Sequence, residues 1–164
     1  MCIKSEKEEI GYGTKLYLVN GTFHRLMQGR IKDGEHLVGY GKMFYNLKKT
    51  EYYFGHWKNG KRDGKGVYVS KSYNYTGEWY WNKMQGIGTL YYANGCYYEG
   101  QFYDNKKDGH GKYVCGGIPV FVGKYKNDKR WEGIKTRRNK NNCKVKYKNG
   151  DIDQDDPSSL YCNS

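Results

Sequence analysis

Proline is almost missing from this chain: two in 164 residues. Nearly every position therefore keeps the backbone N–H that a sheet ladder needs. Long apolar runs are missing too, and none approaches the roughly 18 residues of a membrane span. The opening MCIKSEKEEI carries charge where a secretory leader needs an apolar stretch. A soluble chain is expected, touching membranes only peripherally. Hydrophobic residues make up only 37%, too few for a large layered aliphatic core. Disorder is excluded by the opposite signal, 17% aromatic residues with 19 tyrosines. The 23 glycines point to many tight turns.

Catalytic and metal chemistry are also poorly represented. Cys2, Cys96, Cys115, Cys143 and Cys162 are scattered and never form Cys-x-x-Cys. That argues against a disulfide framework or a thiolate zinc site, and for free thiols in a reducing compartment, the cytoplasm. His24, His36, His56 and His110 lack metal-ligand spacing. No nucleophile elbow, phosphate loop or His-Glu-x-x-His occurs. The expectation is a chain that is not an enzyme and holds no cofactor or metal.

Charge is plentiful and uneven, with a net value of +12. Lys124 to Lys148 holds eleven Lys/Arg against two Asp/Glu, while the end of the chain carries Asp151, Asp153, Asp155 and Asp156. A basic block beside an acidic tail suggests either an anionic partner or a tail that folds back as a mask.

The strongest signal is repetition. YFGHWKNGKRDGKG (53–66), YTGEWYWNKMQGIG (75–88) and YEGQFYDNKKDGHG (98–111) share one layout. Marker glycines Gly55, Gly77, Gly100 and Gly123 stand 22, 23 and 23 residues apart. Each of the three clear copies adds Gly-x-Gly: Gly64 and Gly66, Gly86 and Gly88, Gly109 and Gly111. Weaker copies occupy 27–43 and 121–135. The latter carries Trp131-Glu132-Gly133-Ile134 where Gly-x-Gly should be. Gly11-Tyr12-Gly13 and Lys144–Gly150 look like half repeats.

Aromatics flank each marker two residues away: Tyr53 and Trp57, Tyr75 and Trp79, Tyr98 and Phe102, Phe121 and Tyr125. Polar residues alternate with them. That period of two marks half-buried strands, so each repeat predicts a β-hairpin, its strands joined by a loop of about six residues. Glycine between two large rings on the packing face lets neighbouring rings approach the backbone.

The motif Tyr-x-Gly-x-Trp followed by Gly-x-Gly resembles the MORN repeat (membrane occupation and recognition nexus). The resemblance covers roughly residues 10–150. It implies an all-β, elongated, twisted antiparallel sheet of stacked hairpins, a single-domain solenoid with an aromatic-lined groove. Residues 1–10 then form a flexible lead, 11–150 the array and 151–164 an acidic tail.

Two columns of cations fall in the predicted loop. One holds Lys61, Lys83, Lys106 and Lys129; the next holds Arg62, Lys107 and Arg130, with Met84 in the remaining copy. If repeats stack, they form a basic edge at about 10 Å intervals. Such an edge suits an anionic lipid surface, or is a solvated rim that blocks sheet-to-sheet pairing. Lys135, Arg137, Arg138 and Lys140 form a second basic cluster, either a flexible loop or a phosphate contact. The aromatics are core, with leftover surface suited to a peptide or helix. Trp81, in the loop, is either a packing plug or an interfacial anchor. The expected function is a cytoplasmic scaffold holding a protein segment, with an anionic membrane as a further partner and phosphoinositide as the lipid class. A nucleic-acid partner is disfavoured, because the rings are spaced as a packing face. A self-assembling structural role stays open.

Overall fold

The computed structural model describes residues 10–136, 144–152 and 160–161. These form strands β1 (Ile10–Val19), β2 (Thr22–Lys32), β3 (His36–Phe44), β4 (Tyr52–Lys58), β5 (Lys61–Val69), β6 (Tyr73–Tyr80) and β7 (Lys83–Tyr92). They continue as β8 (Tyr97–Tyr103), β9 (Lys106–Cys115), β10 (Ile118–Lys126), β11 (Lys129–Thr136), β12 (Lys144–Lys148), β13 (Asp151–Ile152) and β14 (Leu160–Tyr161). Neighbours in the sheet are neighbours in the chain from β1 to β13, and β14 returns to pair with β12. The sheet of consecutive antiparallel hairpins that the alternation predicted is what forms.

The chain divides into two compact units. One takes the described residues up to Lys71 with Trp79–Asn82; the other takes Ser72–Glu78 and the described residues from Lys83 onward. In both, packing rests on one face of the strands. Met27, Leu37 and Tyr53 are fully buried in the first unit; Tyr75, Tyr98 and Phe121 in the second. The burial strings of β4 and β8 alternate as the period of two requires.

The loop of about six residues is a correction. Strands are joined by two-residue turns, Asn59-Gly60, Trp81-Asn82, Asp104-Asn105 and Asn127-Asp128, with every φ between 47° and 70°. Positive φ at both positions is the type I′ hairpin turn, whose twist matches the flanking strands. The remaining "loop" residues belong to the next strand and are absorbed by a bulge. Gly55 pairs with Gly66 and Trp57 with Arg62, so His56 faces three residues of β5. β8 and β9 repeat this with Gly100↔Gly111 and Phe102↔Lys107. The first glycine of Gly-x-Gly turns the bulge in a left-handed conformation, φ 98° at Gly64 and 97° at Gly109.

The copy from Phe121 departs less than its sequence suggests. Gly123 pairs with Gly133, Lys124 with Glu132 and Tyr125 with Arg130, leaving Trp131 as the single extra residue. Its bulge is shorter and needs no left-handed residue, which is why a glycine is dispensable there.

The cysteine expectation is also corrected. Tyr97 pairs with Val114, which sets Cys96 opposite Cys115 across the β8–β9 hairpin. The two sulfurs are bonded, with Cα atoms 4.4 Å apart. Strand register, invisible in the spacing of the cysteines, makes this pair. With Cys96 and Cys115 bonded, the cysteines no longer point to a reducing compartment. Cys2, Cys143 and Cys162 lie outside the described residues.

Candidate functional site

The aromatic face is an edge-to-face ladder. In the first unit Tyr53 lies between Trp57 and Trp79, with ring centroids 4.9 and 5.3 Å away and planes near perpendicular. In the second, Phe102 stands 5.0 Å from Tyr75 and 5.2 Å from Tyr98. Tyr98 meets Tyr125 at 4.9 Å, Tyr125 meets Phe121 at 5.1 Å, and Phe121 meets Tyr147 at 5.7 Å. T-shaped pairs of this kind add to the area term by matching ring edges to ring faces. Polar tips are satisfied. The Tyr53, Tyr75 and Tyr98 hydroxyls donate to the carbonyls of His56, Glu78 and Gln101 at 3.2, 3.1 and 3.0 Å. The Trp57 indole donates to Gly41 at 3.0 Å.

Glycine makes the ladder possible. A Cβ built at Gly66, Gly88 or Gly111 clashes with the phenol oxygen and adjoining ring carbons of Tyr53, Tyr75 or Tyr98, and one at Gly133 stands 2.9 Å from the Phe121 ring. Each ring thus lies over the glycine of its hairpin partner strand. Of the predicted site residues, these aromatics and glycines come together as one packed face within each unit.

The two cation columns separate, which corrects the single basic edge. Lys61, Lys83, Lys106 and Lys129 are first residues of β5, β7, β9 and β11, and all are exposed. Arg62, Lys107 and Arg130 follow them and point to the opposite face. Arg62 lies 4.3 Å from the Trp79 ring and its Nη2 donates to Asn82 O at 3.1 Å. Lys107 stands 5.8 Å from Tyr98 and 5.6 Å from Tyr125, and Arg130 stands 5.3 Å from Phe121. Met84, buried, fills that column in the remaining copy. The outer column is itself uneven. Lys83 pairs with Asp104, while Lys61, Lys106 and Lys129 make no ion pair among the described residues.

Trp81 is neither plug nor core. It is 53% exposed at the first turn position, with φ 47°, and its ring meets that of Tyr80 at 6.5 Å. Lys135 is half-buried on β11; Arg137, Arg138 and Lys140 lie outside the described residues.

Sequence reading missed the second turn residue. Asn82 accepts from the Arg62 amide at 2.8 Å and donates its own amide to Arg62 O at 3.0 Å. Asn105 does the same to Met84, and Asp128 to Lys107. Each of these three turns is thereby clamped to the second strand of the preceding hairpin. The signal was present as Asn/Asp three residues past the second aromatic at Trp79, Phe102 and Tyr125, with Gly60 in that place after Trp57, but the assumed loop hid it.

At one end of the second unit the face opens. A cleft of about 500 Å³ is lined by Tyr92, Tyr113, Tyr125, Tyr147, Lys107, Arg130, Lys129, Asp128 and Gly150. Burial pushes the Tyr92 and Tyr125 phenols up to about 12, so both stay neutral. Burial also lowers the Lys107 ammonium from its usual value, against the opposing pull of Asp128, 3.9 Å away. The combination offers apolar ring surface, neutral hydroxyls and two cations that are partly stripped of water. Among the described residues no cluster of His, Cys, Asp or Glu could hold a metal ion, and no helix is long and apolar enough to cross a membrane.

Comparison with known families identifies the hairpins. The MORN repeat model matches residues 53–74, 75–97 and 98–116. A search of curated proteins finds no match to the chain.

Proposed function

This chain carries MORN repeats, and we propose that it is a repeat scaffold whose tyrosine-lined cleft holds a segment of a partner protein. The observation that carries this is the cleft itself. Tyr92, Tyr113 and Tyr147 are only half covered by their own chain and present ring faces and hydroxyls, the surface that suits a bound peptide or helix. Lys107 and Arg130 on its wall select a segment with carboxylates beside its apolar anchors. The edge-to-face packing of the deeper rings supports the same reading over a nucleic-acid one, since those faces are used internally and offer no stacking track.

The test is a display screen of acidic amphipathic peptides against the whole chain, repeated with Tyr113→Ser and with Lys107→Gln/Arg130→Gln. Enriched peptides that lose binding to both variants support the cleft. Peptides that bind all three proteins alike, or no enrichment at all, remove it.

A membrane-facing edge is the second reading, favoured by the exposure of Lys61 and Trp81 in the first unit and of Tyr103, Lys106 and Lys129 in the second. Each exposed cation near an anionic lipid surface brings on the order of 1 kcal/mol. Flotation with phosphoinositide vesicles, compared with a variant carrying Gln at Lys61, Lys83, Lys106 and Lys129, decides it. Flotation of the wild type alone supports the edge; no flotation of either protein leaves these lysines as turn-flanking solubilisers.

A further inference from the structure

Four repeats fill their glycine seats in one way: Gly66 lies under Tyr53, Gly88 under Tyr75, Gly111 under Tyr98 and Gly133 under Phe121. In every case the ring comes from the first strand of the hairpin and the glycine from the second. β1 is built as such a second strand. Its Gly11-Tyr12-Gly13 matches the Gly-x-Gly of the clear repeats, and Gly13 pairs with Gly29 as Gly41 pairs with Gly55 and Gly88 with Gly100. Yet a Cβ at Gly11 or Gly13 meets nothing within 4 Å. A hollow of about 350 Å³ lies there, bounded by Gly11, Gly13, Lys15, Ile31 and Gly34. Among the described residues, no ring occupies this seat.

The strand edge beside the seat is equally open. β1 is ten residues long, and β2 is its only pairing partner among the described residues. Edges of this length are normally shortened, charged or broken by proline. β1 has no proline and one charged residue, Lys15. Tyr12, Leu16, Leu18 and Val19 are 81%, 53%, 55% and 56% exposed.

We propose that β1 is an acceptor for an extended segment of another protein, which adds to the sheet antiparallel to β1 and lays an aromatic ring over Gly13. The partner is defined by the complementary chemistry already present in the repeats. It is a strand with an aromatic two residues before a glycine, so that glycine faces Gly13 and the ring leans across, as Tyr98 does over Gly111. Main-chain hydrogen bonds supply the affinity and the empty seat the specificity, the logic of strand addition. This is independent of the tyrosine cleft, which lies in the other unit.

The probe is a free peptide with the sequence of β6, YNYTGEWY, titrated into the isotope-labelled full chain and followed by NMR. Shift changes and slowed amide exchange confined to β1 and the residues around Gly13 are expected. Replacing the peptide's third residue, Tyr, by Ala removes them. The chain variant Gly13→Leu fills the seat from within. Nothing lies within 4 Å of a Cβ at Gly13, so the variant is expected to stay folded, with a melting temperature near that of the wild type, but to lose the peptide. No response of β1 to the peptide overturns the proposal. So does a response that survives Gly13→Leu or the Tyr-to-Ala peptide.

Discussion

The phenol of Tyr98 lies over Gly111 on the facing strand and donates to the Gln101 carbonyl at 3.0 Å, so one side chain covers a glycine and closes a bulge at once. Because a Cβ at Gly111 clashes with the phenol oxygen and adjoining ring carbons of Tyr98, Gly111→Ala forces the ring out of its place. Overpacking of this kind costs typically 1–3 kcal/mol. An unfolding free energy lowered by about 2–3 kcal/mol is expected, whereas Tyr98→Phe, which loses only the hydrogen bond, costs about 1 kcal/mol. If the alanine is as mild as the phenylalanine, the ring does not sit on the glycine.

Trp81 occupies a left-handed turn position that Asn59, Asp104 and Asn127 hold in the other turns. Asn and Asp tolerate that conformation far better than a bulky side chain. Trp81→Asn is therefore expected to raise stability by about 1 kcal/mol, since the indole is more than half exposed and the relief of turn strain outweighs the little burial lost. A loss of stability on the same scale shows that the indole has packing partners in solution. The variant also reports on the membrane reading, because flotation should weaken if Trp81 is an anchor.

The second turn position behaves oppositely. Asn105→Ala removes the acceptor for the Met84 amide, a 2.8 Å bond, and places alanine at φ 68°. Together these cost roughly 1–3 kcal/mol. Asn105→Gly restores the backbone freedom but not the side-chain bond, and should fall between wild type and alanine. Thermal melts of the three proteins give the order directly.

Alkaline pH offers a test of the buried phenols. Burial raises Tyr53, Tyr75 and Tyr98 strongly and sets Tyr92 and Tyr125 at about 12. An unfolded tyrosine titrates near 10. Above that value the unfolded chain releases protons that the folded chain retains, so the unfolded state gains and stability falls. The contribution is fully present below pH of about 10 and is lost as pH climbs toward 12. Denaturant midpoints should be flat across neutral pH and then drop. Tyrosinate absorbance should show one group of phenols ionising freely and another only with unfolding. A single smooth titration of all 19 tyrosines contradicts the buried ladder.

The Cys96–Cys115 bond closes a hairpin with a sequence separation of 19. A cross-link over a loop of that length contributes about 3 kcal/mol in the chain-entropy view. Reduction should lower the melting temperature without altering the far-ultraviolet spectrum. Thiol counting on the unreduced, unfolded chain should find two fewer than five.

Much of the fold was legible because its signals are local. The alternation around Gly55, Gly77 and Gly100 has the period of a strand, and the recurrence at fixed spacing demands stacked hairpins. The failures share one cause. Turn length, bulge position and register depend on which residues face each other, and facing is decided by a neighbouring strand. Placing Lys61 and Arg62 in a common loop put both on one edge. Once β5 begins at Lys61, alternation sends them to opposite faces, and Arg62 goes over Trp79.

By itself, then, the sequence determined the unit and its repetition. An aromatic-glycine-aromatic strand can bury its rings only against another copy, so periodicity in the chain becomes a sheet. The tertiary structure alone decided what those copies leave uncovered. The cleft among Tyr92, Tyr113, Tyr125 and Tyr147, the bond between Cys96 and Cys115 and the open seat at Gly13 all arise from which described strands align and which do not. Those outcomes depend on register across hydrogen-bonded strands, a relation between distant residues that composition and spacing do not encode.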